Sequence, residues 1–234
     1  MEMRETAIED EDFGPGKQLP RGRHGLPRET VTQSQQGRIL QSMVQAVAQR
    51  GYQETRVADV VEGAGVARKT FYDYFDDKQD CFLAAYDQVS ARMFETASAA
   101  FNERADAPWA ERISLSMSAL LELLAGWPDG ARFAIVEVHA AGPKALVRRD
   151  AALRQFTELV DAGRSESSLE LPGMTSVAVV GGINELLYSE ILHGATANLP
   201  ARLPDIVYWV TQPFLGSEGA AAERERARES LAAG

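Results

Sequence analysis

The stretch 55–78 constrains the fold of this chain more than any other part of its sequence. Apolar side chains recur at helical spacing in its first half, at Val57, Val60, Val61 and Ala64. Thr55 stands where the N-cap of that helix is expected. Gly63 and Gly65 then permit a sharp turn and a close approach of two backbones. The pattern predicts two short helices that meet at a glycine turn.

The second of these helices places its polar and basic side chains on one face. Val66 and Phe71 point inward, and the outward face is formed by Arg68, Lys69, Thr70 and Tyr72. A tight turn followed by a short helix with a basic N-terminal end is typical of a helix-turn-helix. In that motif the second helix enters the major groove of DNA. The alternative is an αα-hairpin that binds no DNA, which gives no reason for Lys69 or Tyr74.

This segment resembles the DNA-binding domain of the tetracycline-repressor (TetR) family of transcription regulators. The resemblance covers about 39–86, and the matching residues are Gly51-Tyr52, Thr55, Val57, Asp59-Val60, Ala64-Gly65-Val66, Thr70-Phe71-Tyr72, Tyr74-Phe75 and Lys78. The chain departs from the family at Val61, where Ala is usual. It also departs at Ala67, where a Ser commonly caps the recognition helix with a hydroxyl worth ~1 kcal/mol.

The resemblance implies an all-α homodimeric regulator in the cytoplasm. A three-helix helix-turn-helix domain should precede a ligand-binding and dimerisation domain of about six helices. Base contacts are expected from Arg68, Lys69, Thr70 and Tyr72, and phosphate contacts from Thr55, Arg56, Tyr74 and Lys78. We expect a repressor that leaves a palindromic operator when a small, largely apolar ligand binds. The alternative is a ligand-independent regulator controlled by a protein partner.

Together with the resemblance, composition and charge predict a flexible acidic-then-basic arm at 1–27, the helix-turn-helix domain at 28–78, the ligand-binding and dimerisation domain at 79–216 and a charged tail at 217–234. The first segment begins with six acidic side chains against one arginine in residues 1–12, and residues 17–28 carry four basic ones. This arm is either a solvated tail or a basic arm that enters the minor groove through Arg21, Arg23 and Arg28. The last segment alternates Glu and Arg, and we expect it to be a solvated, fraying helix end.

The net charge of −10, from 24 Lys+Arg and 34 Asp+Glu, argues against a sequence-blind DNA-coating protein. Cys81 is the only cysteine, which excludes an internal disulfide and fits a reducing cytoplasm. No apolar run reaches the ~18 residues of a membrane span. Glu190 and His193 have helical metal-ligand spacing, but no second such pair occurs. We therefore expect no catalytic residue, metal or cofactor, and no enzyme activity.

After residue 105 the sequence pattern is typical of helices throughout. Helices are predicted at about 108–125, 129–141, 144–162, 173–194 and 203–215. The fourth of these is apolar almost all round, so it must be buried on more than one side. We expect it to pair with its own copy, together with the fifth, through Ile183, Leu187, Ile191, Val207, Val210 and Phe214. A monomer core is the alternative interpretation of the same residues.

A ligand pocket is expected between these helices. The candidates for its lining are Phe101, Trp109, Met117, Trp127, Phe133, Glu137, His139, Asn184 and Tyr188. Ligand sites are mostly apolar with a few placed polar groups. Here the ligand would be oriented by Glu137, His139, Asn184 and Tyr188. The alternative for each aromatic residue is a place in the ordinary core.

Overall fold

The computed structural model describes residues 28–233, and the side chains of residues 34–232, as a helical bundle without strands in that part of the chain. Its α-helices are α1 (Arg28–Arg50), α2 (Val57–Ala64), α3 (Arg68–Tyr72), α4 (Lys78–Glu103), α5 (Trp109–Gly126), α6 (Pro128–Ala131), α7 (Pro143–Asp161), α8 (Thr175–Leu192) and α9 (Leu203–Ala233). The predicted all-α class is confirmed. A helix with an apolar run sufficient to span a lipid bilayer is not found in this part of the chain.

The first three helices form the predicted helix-turn-helix around the fully buried Ile39, Met43 and Val47 of α1. A methyl group added at Gly63 of α2 would lie only 2.4 Å from the hydroxyl oxygen of Ser42 in α1, so the two helices cross closely because Gly63 has no side chain. Gly65 then ends α2 with a left-handed φ of 61°. The glycine turn has both properties that the sequence predicted.

The N-terminus of α2 differs from the prediction by one residue. Arg56 is the N-cap, and its backbone N–H donates to the Asp59 carboxylate at 2.8 Å. The hydroxyl of Thr55 is turned inward, where it donates to the Gly51 carbonyl oxygen at 2.8 Å. Thr55 was therefore wrongly predicted as the N-cap, since its side chain bonds to the preceding turn.

The predicted helix 129–141 is wrong for most of its length. After the single turn of α6 the backbone widens into a π-helix at Arg132–Val136 and tightens into a 3-10 helix at Glu137–Ala141. We call Arg132–Ala141 the connecting segment. Residues 133–138 are all buried, so this backbone is packed on every side. The sequence-based prediction assumed an ordinary helix with one exposed face, and that assumption does not hold here.

The C-terminal tail also differs from its prediction. Helix α9 breaks at Gly216, which has φ 71° and ψ 175°, and residues 217–233 form its second half. The Arg224 guanidinium Nε lies 2.9 Å from Asp205 Oδ1, whereas a straight helix would separate two such residues by ~28 Å. The second half therefore folds back, and Ala220 and Ala227 are buried. The tail is a docked helix, so the fraying-end prediction was wrong.

Candidate functional site

The recognition helix α3 presents a basic, aromatic face to solvent. Arg68, Lys69 and Tyr72 are exposed and Thr70 is half-buried. Arg68 Nη2 lies 3.3 Å from the Tyr72 hydroxyl oxygen, so these two side chains form one unit across a helical turn. The fully buried Phe71 anchors the helix from below. All four residues predicted to contact bases lie on this helix, and their DNA contacts stay a prediction.

The residues predicted to contact phosphates differ in their exposure to solvent. Arg56 is exposed, and the half-buried Tyr74 donates its hydroxyl to Gln35 Oε1 at 3.2 Å. Thr55 is only 1% exposed and its hydroxyl is bonded internally, so the predicted phosphate contact is wrong.

The phosphate contact predicted for Lys78 also needs correction, because its ammonium group is turned into the protein. It donates to the carbonyl oxygens of Tyr52 at 2.8 Å and Thr55 at 2.9 Å. Burial lowers the pKa of Lys78, against the opposing effect of the nearby Glu54 carboxylate. This lysine holds the loop between α1 and α2, and we remove it from the set of phosphate contacts.

The arm residues Arg21 and Arg23 lie outside the described residues, as does the side chain of Arg28. The hypothesis of a minor-groove arm therefore stays a prediction.

A cavity of about 90 Å³, measured as the volume open to the centre of a water molecule, lies among helices α4, α5, α7, α8 and α9 and the connecting segment. Its lining is mainly aliphatic: Met93, Ile113, Met117, Leu120, Leu124, Ala134, Ile135, Leu153, Phe156, Leu159, Val160, Val179, Val180, Ile183, Leu187 and Val210. The polar lining residues are Tyr86, Ser90, Arg149 and Asn184. The arrangement suits a molecule that is mostly apolar with a small polar or anionic end.

Of the residues predicted to line a pocket, Met117 and Asn184 line this cavity. The large aromatic residues are in the core. Trp109 donates its indole N–H to the Leu159 carbonyl oxygen at 3.0 Å. Phe133 packs 4.5 Å from the ring of Phe82, and the Arg112 guanidinium lies 3.9 Å above the ring of Phe101. These predictions were wrong, because each of the three rings packs against other core groups and none of them lines the cavity.

The remaining pocket candidates lie elsewhere. Trp127 packs under the Arg92 guanidinium at 4.9 Å, and His139 contacts the ring of Tyr188 at 5.3 Å. Glu137 is buried, but against the helix-turn-helix. None of these residues lines the cavity.

Sequence reasoning missed Arg149, the cationic residue of the lining. It falls on the α7 stripe that also carries the buried Ala145 and the cavity residues Leu153 and Phe156. A cation at one position of an apolar i, i+4 stripe is a signal that the sequence did contain. Each aliphatic lining residue, in contrast, is indistinguishable in sequence from a core residue.

Glu137 joins the two parts of the molecule. Its carboxylate accepts a hydrogen bond from the Tyr52 backbone N–H at 2.9 Å and pairs with Arg132 Nη2 at 3.1 Å. Nearby, the Gln53 side chain donates to the Ala140 carbonyl oxygen at 2.9 Å, and Gln79 donates to that of Ala141 at 2.9 Å. The connecting segment thus contacts both the cavity and the loop that follows α1.

The predicted dimer interface points the wrong way. Leu187, Ile191, Val207, Val210 and Phe214 are buried within the monomer, and the half-buried Ile183 lines the cavity. The monomer uses this most apolar stripe of α8 and α9 for its own core.

The outer face of the same two helices is also apolar. Trp209 is 57% exposed and Val177 is 49% exposed. A methyl group added at Gly181 or Gly182 would meet nothing within 4 Å. The free surface on α8 and α9 is therefore this outer face.

The isolated reactive groups are engaged or shielded. Burial raises the pKa of the Cys81 thiol, which opposes formation of a nucleophilic thiolate. Glu190 pairs with Arg202 at 3.0 Å, and His193 Nδ1 lies 2.7 Å from the Ser189 carbonyl oxygen. Both side chains of the Glu190–His193 pair thus bond to other groups of the protein.

Comparison with known proteins agrees with this fold. Residues 39–85 match the family described as bacterial regulatory proteins, tetR family. The fatty acid metabolism regulator protein of Bacillus subtilis (strain 168) is 24% identical over 156 residues, which cover 67% of this chain and 76% of that protein. The family match at 39–85 contains the second half of α1 and all of α2 and α3.

Solved structures share the architecture at low sequence identity. The fatty acid degradation regulator FadR from Bacillus halodurans has a TM-score of 0.67 at 18% identity, covering 75% of this chain and 94% of its own. FadR from Bacillus subtilis, solved in complex with stearoyl-CoA, has a TM-score of 0.64 at 20% identity and covers 74% and 96%. Residues 39–85 thus match the helix-turn-helix domain of the tetR family of bacterial regulatory proteins, and the helical body of this chain has the same fold as the two FadR structures.

Proposed function

We propose that this protein is a homodimeric repressor that leaves a palindromic operator when a largely apolar ligand enters its cavity. The observation that carries the proposal is an aliphatic cavity in the body of a molecule whose recognition helix faces solvent. A ligand changes operator affinity only if it binds the two states of the protein unequally. A cavity beside the connecting segment offers that difference, since Ala134 and Ile135 line the cavity and belong to the same segment as Glu137, which bonds to the helix-turn-helix.

The chemistry of the lining favours a fatty acyl ligand. Aliphatic side chains surround most of the cavity, and Arg149 supplies a positive charge among them. The likeness to a FadR that binds stearoyl-CoA supports the same class of ligand here. Met93 and Met117 are flexible lining residues that can rearrange around a longer chain. We infer that acyl-CoA thioesters bind with the chain in the cavity.

The dimer forms through the outer face of α8 and α9. Trp209 and Val177 present apolar surface there, and Gly182 leaves room for a partner helix to approach. One helix-turn-helix reads few base pairs, so two heads related by a two-fold axis suit a palindromic site. In each head Arg68, Lys69, Thr70 and Tyr72 face the bases, while Arg56 and Tyr74 contact phosphates.

The experiment is a fluorescence anisotropy titration of the protein on an operator selected from random DNA. Stearoyl-CoA should release the DNA, and free coenzyme A, which lacks the acyl chain, should not. Arg149→Met should weaken the response to stearoyl-CoA while leaving DNA binding in its absence intact. If stearoyl-CoA neither raises the melting temperature nor releases DNA, the acyl ligand is wrong.

A further inference from the structure

We propose that Glu137 is the positioning residue through which the cavity sets the orientation of the helix-turn-helix. This inference rests on the proposed ligand response and identifies its route. Glu137 is 7% exposed and lies two residues after Ile135, which lines the cavity. Its carboxylate is shared between Arg132 of its own segment, at 3.1 Å, and the backbone N–H of Tyr52, at 2.9 Å.

Tyr52 is a sensitive point of the helix-turn-helix because it directly follows the end of α1. Gly51 N–H bonds back to the Val47 carbonyl oxygen at 2.8 Å, within the last turn of the helix. The next amide often bonds back in the same way at a helix C-terminus, but here it donates to Glu137. The Tyr52 carbonyl oxygen accepts from Lys78, the first residue of α4, at 2.8 Å. The Tyr52 backbone is thus held by the connecting segment on one side and by α4 on the other.

The two halves of the connecting segment have different neighbours. Ala134 and Ile135, in its π-helical half, line the cavity. Glu137, Ala140 and Ala141, in its 3-10 half, hold the helix-turn-helix and the start of α4. One ten-residue segment therefore contacts the ligand site and the DNA-binding part directly.

The backbone of this segment suits a change of register. A π-helical turn holds more residues than an α-helical turn and a 3-10 turn holds fewer, so a shift between them rotates every residue that follows. A molecule that pushes on Ala134 and Ile135 moves Glu137. A buried carboxylate that loses its partners is strongly destabilising, so the Tyr52 loop moves with Glu137.

The test uses Val180→Phe, which adds a ring from α8 to the cavity lining and acts as an occupant whose identity is known. In the otherwise unchanged protein it should weaken operator binding about 5- to 150-fold, the usual range of coupling between two sites. In a Glu137→Ala background the same substitution should change binding by less than about two-fold, because the route from the cavity to the helix-turn-helix is already broken and a difference of that size is within the error of such comparisons. Equal losses in both backgrounds, or no loss in the unchanged protein, would overturn the proposal.

Two variants serve as controls. Glu166→Ala removes a carboxylate that accepts from the Trp109 backbone N–H at 3.0 Å, the same type of bond at a site away from the helix-turn-helix. It should leave the full Val180→Phe effect. Glu137→Gln keeps an oxygen acceptor for Tyr52 N–H and should also retain most of the effect. Loss of the effect in Glu166→Ala would show a general loss of stability and contradict a specific role for Glu137.

Amide hydrogen exchange gives a readout that does not depend on folding of Glu137→Ala. Val180→Phe should speed exchange at the Tyr52 amide and leave the Gly51 amide, bonded within α1, unchanged. If DNA binding weakens while Tyr52 keeps its protection, the route does not pass through Glu137.

Stearoyl-CoA separates this inference from the proposed function. If Val180→Phe shows the Glu137-dependent effect and stearoyl-CoA releases no DNA, the ligand is wrong and the Glu137 route stands. If stearoyl-CoA releases DNA equally from the unchanged protein and from Glu137→Ala, the function stands and the Glu137 route is overturned.

Discussion

The ammonium group of Lys78 donates to the Tyr52 carbonyl oxygen at 2.8 Å and lies 4.2 Å from the centre of the Tyr52 ring. This pair ties the first residue of α4 to the loop after α1. Lys78 therefore maintains the fold of the helix-turn-helix.

We predict that Lys78→Met lowers the free energy of unfolding by ~1–2 kcal/mol, the value of charge-assisted hydrogen bonds reduced for partial exposure. Urea denaturation measures the effect. Arg56→Met, at an exposed cation on the same domain, is the control and should leave stability nearly unchanged while weakening DNA binding. An unchanged midpoint for Lys78→Met would return this residue to the DNA-contacting surface.

We predict that Gly63→Ala destabilises the helix-turn-helix by ~1–3 kcal/mol, the usual cost of overfilling a packed site. The added methyl group would lie 2.4 Å from Ser42 Oγ, which is itself bonded to the Val60 carbonyl oxygen at 2.8 Å.

The double variant Gly63→Ala/Ser42→Ala should lose less stability than the sum of the losses in the two single variants. The reason is that the clashing oxygen is gone and the Ser42 Cβ lies 3.5 Å from the added methyl group. Thermal unfolding of the four proteins completes the cycle. Strict additivity would show that the two side chains do not compete for space.

We predict that Trp209→Arg converts the proposed dimer to a monomer, because it places a charge in the apolar outer face of α8 and α9. Sedimentation velocity measures the change, and circular dichroism should show unchanged helix content. Val147→Arg, at a residue 66% exposed on α7, is the matched control and should stay dimeric. A dimeric Trp209→Arg protein would place the interface elsewhere.

Acid stability should depend on the contact between α7 and α8. The Ser176 hydroxyl and the Arg164 guanidinium both bond to Asp161, at 2.6 Å each, and lower the pKa of its carboxyl below the ordinary value. A depressed folded-state pKa gives stability that is present above the unfolded value and lost as pH falls through the folded one.

Ser176→Ala should therefore destabilise the protein at pH 6 and have a smaller effect near pH 2, because the contribution of this bond falls as the Asp161 carboxylate becomes protonated. Melting temperatures across that pH range check the prediction. An effect of Ser176→Ala that is equal at both pH values would mean that the hydroxyl acts without the carboxylate.

The helix-turn-helix was predictable because its determinants are local. Gly63, Gly65 and Phe71 lie within nine residues of one another, and each has one structural requirement that spacing reveals. The N-cap was predicted one residue early because Thr55 is a good capping residue by type. Its hydroxyl found a partner in Gly51 instead.

The cavity and the exposed apolar face of α8 and α9 depend on long-range packing that sequence patterns do not contain. Helix α8 is apolar on both sides, so its sequence cannot show that Leu187 faces the core and Val177 faces outward. Similarly, Trp109 is of a residue type that often lines ligand pockets, but its surroundings in the fold are those of a core residue. The reversal at Gly216 was missed because one glycine in a charged helix does not reveal a docking surface.

Selection of bound DNA from a random-sequence pool tests the central claim most directly, with the unchanged protein and Lys69→Ala side by side. The unchanged protein should enrich one two-fold symmetric site with half-sites about 10 base pairs apart or a multiple of that spacing. Lys69→Ala should reduce the preference for this site over random DNA by ~1–3 kcal/mol per lost base contact. An asymmetric site, no enriched site, or an unchanged preference in Lys69→Ala would contradict a dimer that reads a palindrome through α3.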